Sequence, residues 1–273
     1  MPGSPPATPR GLHSIADAFD AIVCDIWGVL HDGVTVFPDA VEALTRFRQG
    51  HGPVVLLSNA PRRADTVHAQ LAARGLPAAA CHDAIVTSGE IARRYICHKH
   101  DGARLYHLGP ASDADLTEGL PITRTDDIED ADGLLVSGPL GDDPTAHDAL
   151  LQTAARRGLE MICANPDRYV MHGGQVMACA GLLAERFTDM GGHVLRTGKP
   201  EAIAFNSALE ALTPFLATPP DPSRILVIGD GPETDIRGAR QAGLPSLHIR
   251  STLPGHPTAP PVTPDYAMDR LLW

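Results

Sequence analysis

Short, unbroken apolar runs alternate with stretches of helical periodicity along this chain, and that alternation constrains its fold more than any other feature. The runs are Ala21–Cys24, Val54–Leu57, Ala84–Thr87, Arg104–Leu108, Leu134–Val136, Met161–Ala164 and Ile225–Ile228. They are rich in β-branched residues and lack polar alternation, as strands covered on both faces do. Between them, Val41, Leu44 and Phe47 share one helical face after Pro38-Asp39, with Gly50 suited to the stop. Val67 and Leu71 share another face ahead of Gly75, and Phe205, Leu209 and Leu212 a third, with Pro200 at its first turn. The pattern predicts an α/β fold on a mainly parallel sheet. In such sheets the functional residues stand just beyond the C-terminal ends of the strands.

A length of 273 residues allows one large domain or two modest ones, and 43% hydrophobic residues are ample for a core. The 33 acidic residues exceed the 22 basic ones, for a net charge of −11, which disfavours nucleic acid or an anionic membrane surface as partner. A local cluster of cations or a metal could still receive a small anion. No apolar run approaches the roughly 18 residues of a membrane span. The five cysteines, Cys24, Cys81, Cys97, Cys163 and Cys179, are odd in number and scattered, which reads as reduced thiols. Met1 to Arg10 is proline-rich without an apolar stretch, so no signal peptide is expected and a cytoplasmic location is. The proline-rich tail after Ile249 is expected to be an extended surface strap.

Four strand ends or helix starts carry polar groups that suit one chemistry. The first strand runs into Asp25-Ile26-Trp27-Gly28, the second into Ser58-Asn59, and Thr197-Gly198-Lys199-Pro200 precedes a helix. The run Ile225–Ile228 leads into Gly229-Asp230-Gly231-Pro232-Glu233-Thr234-Asp235. A carboxylate can attack a phosphoryl group and divide one difficult displacement into two easier ones. Oxygen ligands can hold Mg²⁺, which relieves the repulsion between carboxylate and phosphate. An ammonium adds a second positive charge, and a hydroxyl with backbone N–H groups can hold the remaining oxygens. Each element alone reads as a turn or a helix cap; the four in order, each at a position the fold favours, make the case.

The order Asp25, Ser58-Asn59, Lys199, Gly229-Asp230 and Asp235 resembles the four motifs of the haloacid dehalogenase (HAD) superfamily. Cys163-Ala164-Asn165-Pro166-Asp167 resembles the TNPD segment of its class IIA branch, which contains NagD and the pyridoxal phosphatases. The resemblance spans about residues 18–250. It implies a Rossmann-like core of residues 1–100 and 194–273, with a C2-type cap inserted over 101–193. It further implies Asp25 as nucleophile, with Ser58, Lys199 and Asp230 catalytic beside it. Mg²⁺ would be held by Asp25, the Trp27 carbonyl and Asp230, supported by Asp235. Asn59, Asn165, Asp167 and Arg168, with the turn His172-Gly173-Gly174, would meet a small phosphorylated metabolite. A homodimer formed through the cap is also implied by analogy.

One position departs from the pattern. Phosphatases of this family carry a second Asp two residues after the nucleophile, which protonates the leaving group; here Trp27 stands there. A backbone carbonyl survives that exchange, whereas an indole N–H does not titrate usefully. General acid–base catalysis is worth about 10²–10⁴ in rate, so turnover is the step in question. His31 and Asp32 stand in the same loop and are expected to be solvated. Haloacid dehalogenases also carry an aromatic residue at this position, which leaves another scissile bond, such as carbon–halogen, as the alternative. A phospho-ligand sensor of low activity is the other. Arg62 and Arg63 stand where an anion could meet them. Cys97-His98-Lys99-His100 lacks a partner pair at zinc-like spacing. Cys24 reads as a buried strand residue.

Overall fold

The computed structural model of the chain describes residues 5–76, 80–172, 175–250 and 262–273. Its strands are β1 (Ala21–Cys24), β2 (Val54–Ser58), β3 (Ala84–Thr87), β4 (Arg104–Leu108), β5 (Thr123–Thr125), β6 (Gly133–Val136) and β7 (Glu160–Cys163). They continue with β8 (Tyr169–His172), β9 (Gln175–Ala178), β10 (His193–Arg196), β11 (Ile225–Gly229), β12 (Ser246–Ile249) and β13 (Tyr266–Met268). The α-helices are α1 (Pro38–Gly50), α2 (Ala64–Ala73), α3 (Ser88–Lys99), α4 (Asp148–Arg156), α5 (Ala180–Asp189), α6 (Ala202–Leu212) and α7 (Arg237–Ala242). The α/β expectation holds.

Contacts divide the chain into two units. The first comprises Met1–Ser58, Val67–Val86 and Lys199–Trp273; the second comprises Asn59–Thr66 and Thr87–Gly198. The first unit is built on a sheet of order β13-β12-β11-β1-β2-β3. Its pairs β13–β12, β12–β11, β11–β1 and β1–β2 are all parallel. Every residue of β1, β2 and β11 is buried, as their unbroken apolar runs require. Helix α1 turns Ala40, Ala43, Leu44 and Phe47 inward, and α6 buries Phe205 and Leu212. The chain leaves β1 towards β2 on one side, and β11 lies on the other, so the order reverses between β1 and β11. That reversal opens the crevice in which open parallel sheets place their ligands.

The second unit has its own all-parallel sheet, of order β10-β7-β6-β4-β5. Its residues alternate between two cores, as the two-residue period of a strand dictates. Leu134, Val136, Met161 and Cys163 pack with Leu151, Leu183 and Phe187 of α4 and α5. Leu135 and Ile162 pack on the other face with Ala92 and Ile96 of α3 and with Leu116. Strands β8 and β9 form an antiparallel hairpin. The turn residues Gly173 and Gly174 lie outside the described residues.

Two expectations need revision. The tail ends as a strand, because β13 pairs with β12 from Leu247↔Tyr266 to Ile249↔Met268, burying Ala267 and Met268. Its apolar run is too short to stand out beside so many prolines, and residues 251–261 lie outside the described residues. Strand β10 went unrecognised because its residues are exposed or half-buried, which leaves little apolar signal. No helix among the described residues is long and apolar enough to cross a membrane.

The connection into β3 carries a buried titratable ring. Asp83 accepts the Val54 N–H at 2.9 Å and pairs with Arg48 at 2.7 Å, fixing the turn. His82 beside it is 3% exposed, and burial first, then the charges of His68 and Arg48, pulls its pKa down to about 4. Its folded pKa therefore lies below the unfolded value, near 6.5. The stability due to the neutral ring is complete above that value and is lost as pH falls towards 4, by about 3 kcal/mol. Urea unfolding of His82→Gln between pH 7 and 4 is expected to show a flatter pH dependence than the parent. Identical slopes in the two proteins would refute this.

Candidate active site

The strand ends at the crevice of the first unit carry the polar groups singled out from the sequence. Cys24 lies opposite Leu56 on β2 and Ile228 on β11, so the chain leaves all three strands at one edge of the sheet. Asp25 follows β1, Ser58 closes β2, and Asp230 follows β11; all three are buried. Asp25 remains pinned to the sheet by its N–H, which donates to the Ile228 carbonyl at 2.8 Å.

The turn after Asp25 is closed by two backbone hydrogen bonds, Leu30 N–H to Ile26 O at 2.9 Å and Gly28 N–H to His31 O at 2.8 Å. Gly28 has φ +83°, and a Cβ there would lie 2.0 Å from an Asp230 carboxylate oxygen. Only glycine satisfies both the backbone and this close approach. His31 is 4% exposed, accepts the Gly33 N–H on Nδ1 at 2.8 Å, and meets the Trp27 ring edge-on at 4.9 Å. It is therefore a buried turn residue, not a solvated one: the tight turn folds the ring back onto the indole. The Asp32 carboxylate accepts the N–H groups of Val34 and Thr35 at 2.9 and 2.7 Å, which hold its pKa below the ordinary carboxylate range.

Lys199 joins the acidic groups. Its Nζ donates to Asp25 Oδ1 at 2.5 Å and to Asp235 Oδ1 at 2.8 Å, and it is 3% exposed. Burial opposes its charge, but the two carboxylates outweigh that effect and raise its pKa. Burial pushes the Asp25 carboxyl up to about 7; the Lys199 ammonium works against this rise and the Asp235 charge adds to it. The other oxygen of Asp235 accepts the Gly231 N–H at 3.1 Å and the Thr234 hydroxyl at 3.2 Å. Asp235 thus ties Lys199 to the wide turn Pro232–Ile236. Gly229 allows this, because a Cβ there would strike the Asp235 carboxyl at 2.2 Å.

Asp25, Asp230 and Asp235 each offer an oxygen within 4.8 Å of the others. They are the group of His, Cys, Asp or Glu found at metal-ligand spacing among the described residues, and Cys97-His98-Lys99-His100 contributes to no such group. When all three carboxylates are ionised, Lys199 leaves a net two negative charges buried together. An all-oxygen set with that charge fits a hard divalent cation, whose field would draw the Asp25 pKa back down.

In the second unit, Asn59, Asn165 and Asp167 come together. Asn59 Nδ2 donates to Asp167 Oδ1 at 2.8 Å, and Asn165 Oδ1 accepts the Asp167 N–H at 3.2 Å. Gly198 makes room for the Asn59 carbonyl oxygen, which a Cβ would strike at 2.3 Å. Arg168 is exposed and pairs with Glu185 at 3.1 Å. Arg62 pairs with Asp113 at 3.3 Å, and Arg63 with Asp65 at 3.8 Å. Sequence reasoning quoted Thr234 within the fourth segment without giving it a role, and did not single out Asp113 or His248, whose Nε2 lies 3.3 Å from the Asp230 carbonyl. Asp113 and His248 show no local pattern.

Residues 22–122 match the family described as haloacid dehalogenase-like hydrolase, and residues 196–273 match one described as HAD-hydrolase-like. The crystal structure of a haloacid dehalogenase-like hydrolase from Brucella suis 1330 is 34% identical, over 97% of this chain and 100% of that one, with a TM-score of 0.89. The chain belongs to the haloacid dehalogenase-like hydrolase family. D-glycerol 3-phosphate phosphatase of Mycobacterium tuberculosis (strain ATCC 25618 / H37Rv) is 30% identical over 243 residues, 87% of this chain. The chain spans 65% of that relative's length. NagD from Escherichia coli K-12 shares the fold at 21% identity, over 92% of this chain and 96% of that one, with a TM-score of 0.68.

Removing the ammonium would leave Asp25 and Asp235 buried without their cation. Deleting one partner of a buried ion pair costs about 3–5 kcal/mol. Lys199→Met is therefore expected to lose stability of that order in urea unfolding without added metal. A loss below about 1 kcal/mol, the scale of an exposed pair, would contradict this.

Proposed function

We propose that this hydrolase is a metal-dependent phosphatase of a small phosphorylated metabolite, with Mg²⁺ as its ion and Asp25 as its nucleophile. The observation that carries the reading is the buried Lys199 ammonium held by Asp25 and Asp235 beside Asp230. An Asp25 carboxylate oxygen attacks phosphorus and the ester P–O bond breaks, giving an aspartyl-phosphate and the departing alcohol oxygen. Water then attacks phosphorus, the bond to Asp25 breaks, and inorganic phosphate leaves. Lys199 offsets the repulsion between Asp25 and the phosphate dianion. The Ser58 hydroxyl and the Asn59 amide donate to the phosphoryl oxygens, while Asn165 and Arg168 serve the leaving group.

The ion would be held by the carboxylates of Asp25 and Asp230 and the Trp27 carbonyl, with Asp235 in support. It would supply charge neutralisation at the transferring phosphoryl group. Melting of the metal-stripped protein is expected to shift upward on adding Mg²⁺, because a ligand at about 100 times its Kd stabilises by about 2.7 kcal/mol. The shift should disappear in Asp230→Asn. An equal shift in both proteins would place the ion elsewhere.

Trp27 supplies no proton to the departing oxygen. Esters of acidic alcohols need none, so p-nitrophenyl phosphate should turn over far faster than an alkyl phosphate. Trp27→Asp should narrow that gap by roughly 10²–10⁴, the usual worth of a general acid. The test is a phosphate-ester screen with Mg²⁺, run beside Asp25→Asn. No phosphate release from any ester, with no phosphate trapped on Asp25, would sink the phosphatase reading. The aromatic residue at Trp27 favours one other outcome, halide release from a haloalkanoate in the same screen. Binding of esters without turnover would indicate a sensor. A homodimer formed through the second unit belongs to the same proposal, supported by the exposed Tyr169, Val176 and Met177 of the hairpin.

A further inference from the structure

Five hydrogen bonds hold the segment Asn59–Thr66 within the second unit, although it directly follows Ser58 at the end of β2. Asn59 Nδ2 donates to Asp167 at 2.8 Å, Arg62 Nε to Asp113 at 3.3 Å, and Thr66 Oγ1 to Asp115 at 2.6 Å. The Arg62 carbonyl accepts the Thr87 hydroxyl at 2.6 Å, and the Ala60 carbonyl accepts the Gly89 N–H at 3.1 Å. Gly89 is also the close-approach point, since a Cβ there would lie 2.4 Å from the Arg62 nitrogen.

The place where Arg62 is held has its own logic. Strand β4 is followed in sequence by β5 on one side of it, whereas β6 lies on the other side, so the order of the second sheet reverses between β4 and β6. Asp113 stands in the connection leaving β4, is 3% exposed, and accepts hydrogen bonds from Ser112, Arg62 and Ser137. Ser137 follows β6 and lies 3.1 Å from His107 Nε2 on β4. Open parallel sheets place ligands at such a reversal. Here the reversal holds the chain's own Arg62.

We propose that Asp167 and Asp113 are positioning residues for phosphoryl binding: Asp167 orients the Asn59 amide, and Asp113 anchors the loop behind it through Arg62. The proposal rests on the phosphatase reading of Asn59. A carboxylate only accepts hydrogen bonds, so Asp167 fixes which end of the Asn59 amide faces it. One amide hydrogen is committed to Asp167, and the planar group then sets the direction of the other. A Cβ on Gly198 would lie 2.3 Å from the Asn59 side-chain oxygen, so the glycine leaves the amide room to sit there. Neither aspartate touches the phosphate; each acts through a neighbour.

The test compares Asn59→Ala, Asp167→Ala, Asp167→Asn, Asp113→Ala and the double variant Asn59→Ala/Asp167→Ala. It measures p-nitrophenyl phosphate turnover and competitive inhibition by inorganic phosphate, both with Mg²⁺. Asp167→Ala is expected to weaken phosphate inhibition and raise KM about tenfold, with kcat changed less. Asp167→Asn keeps an acceptor and should recover most of that loss. Asp113→Ala should weaken inhibition in the same direction. The double variant should be no worse than Asn59→Ala alone, because Asp167 acts only through that amide. Losses that multiply in the double variant, or unchanged inhibition in Asp167→Ala where Asn59→Ala weakens it, would overturn the proposal while leaving the phosphatase reading intact. A variant that fails to melt cooperatively is replaced by its Leu form, Asp167→Leu or Asp113→Leu, which is close to Asp in shape and offers no acceptor. A parent protein that neither hydrolyses the ester nor binds phosphate would overturn the functional reading and this proposal with it.

Discussion

A single ammonium group holds the acidic centre of the first unit together. Lys199 is buried, yet keeps its charge because Asp25 and Asp235 both accept from it. Without it, carboxylates brought to metal-ligand distance would repel one another in a medium that screens charge poorly. With it, they approach closely, and when all three are ionised a net two negative charges remain. The glycines at positions 28 and 229 follow from the same constraint: each leaves out a side chain where a carboxylate must pass.

The arrangement also explains how the centre tolerates Trp27. A backbone carbonyl is present whatever the side chain, so the indole alters only what the side chain itself can donate. The indole packs edge-on against His31, which is itself held by the Gly33 N–H. The turn after Asp25 is therefore closed by main-chain bonds and aromatic packing.

Much of this was legible in the sequence, and for a physical reason. Strands β1, β2 and β11 are buried on both faces, so their apolar runs are unbroken and end where Asp25, Ser58 and Asp230 begin. The stripe on α1 likewise follows from its one buried face. Strand β10, exposed or half-buried, and β13, behind a proline-rich stretch, left no comparable trace. Within the site, Asp25, Lys199, Asp230 and Asp235 were found because each adjoins a strand end or a helix start. His248 and Asp113 were not, because their partners lie 18 and 51 residues away in the chain. The burial of His31 was hidden too, since a loop position carries no periodicity from which to read it.

The seam between the two units falls inside a two-residue motif, with Ser58 on one side and Asn59 on the other. Anyone exchanging the inserted part of this protein for that of a relative therefore faces a boundary that is discontinuous in sequence. A graft of residues 101–193 alone would bring a foreign sheet and leave behind Asn59, Arg62 and Thr66, whose partners Asp167, Asp113 and Asp115 had just been replaced. Moving the short segment 59–66 with the graft keeps each of these donors with its own acceptor.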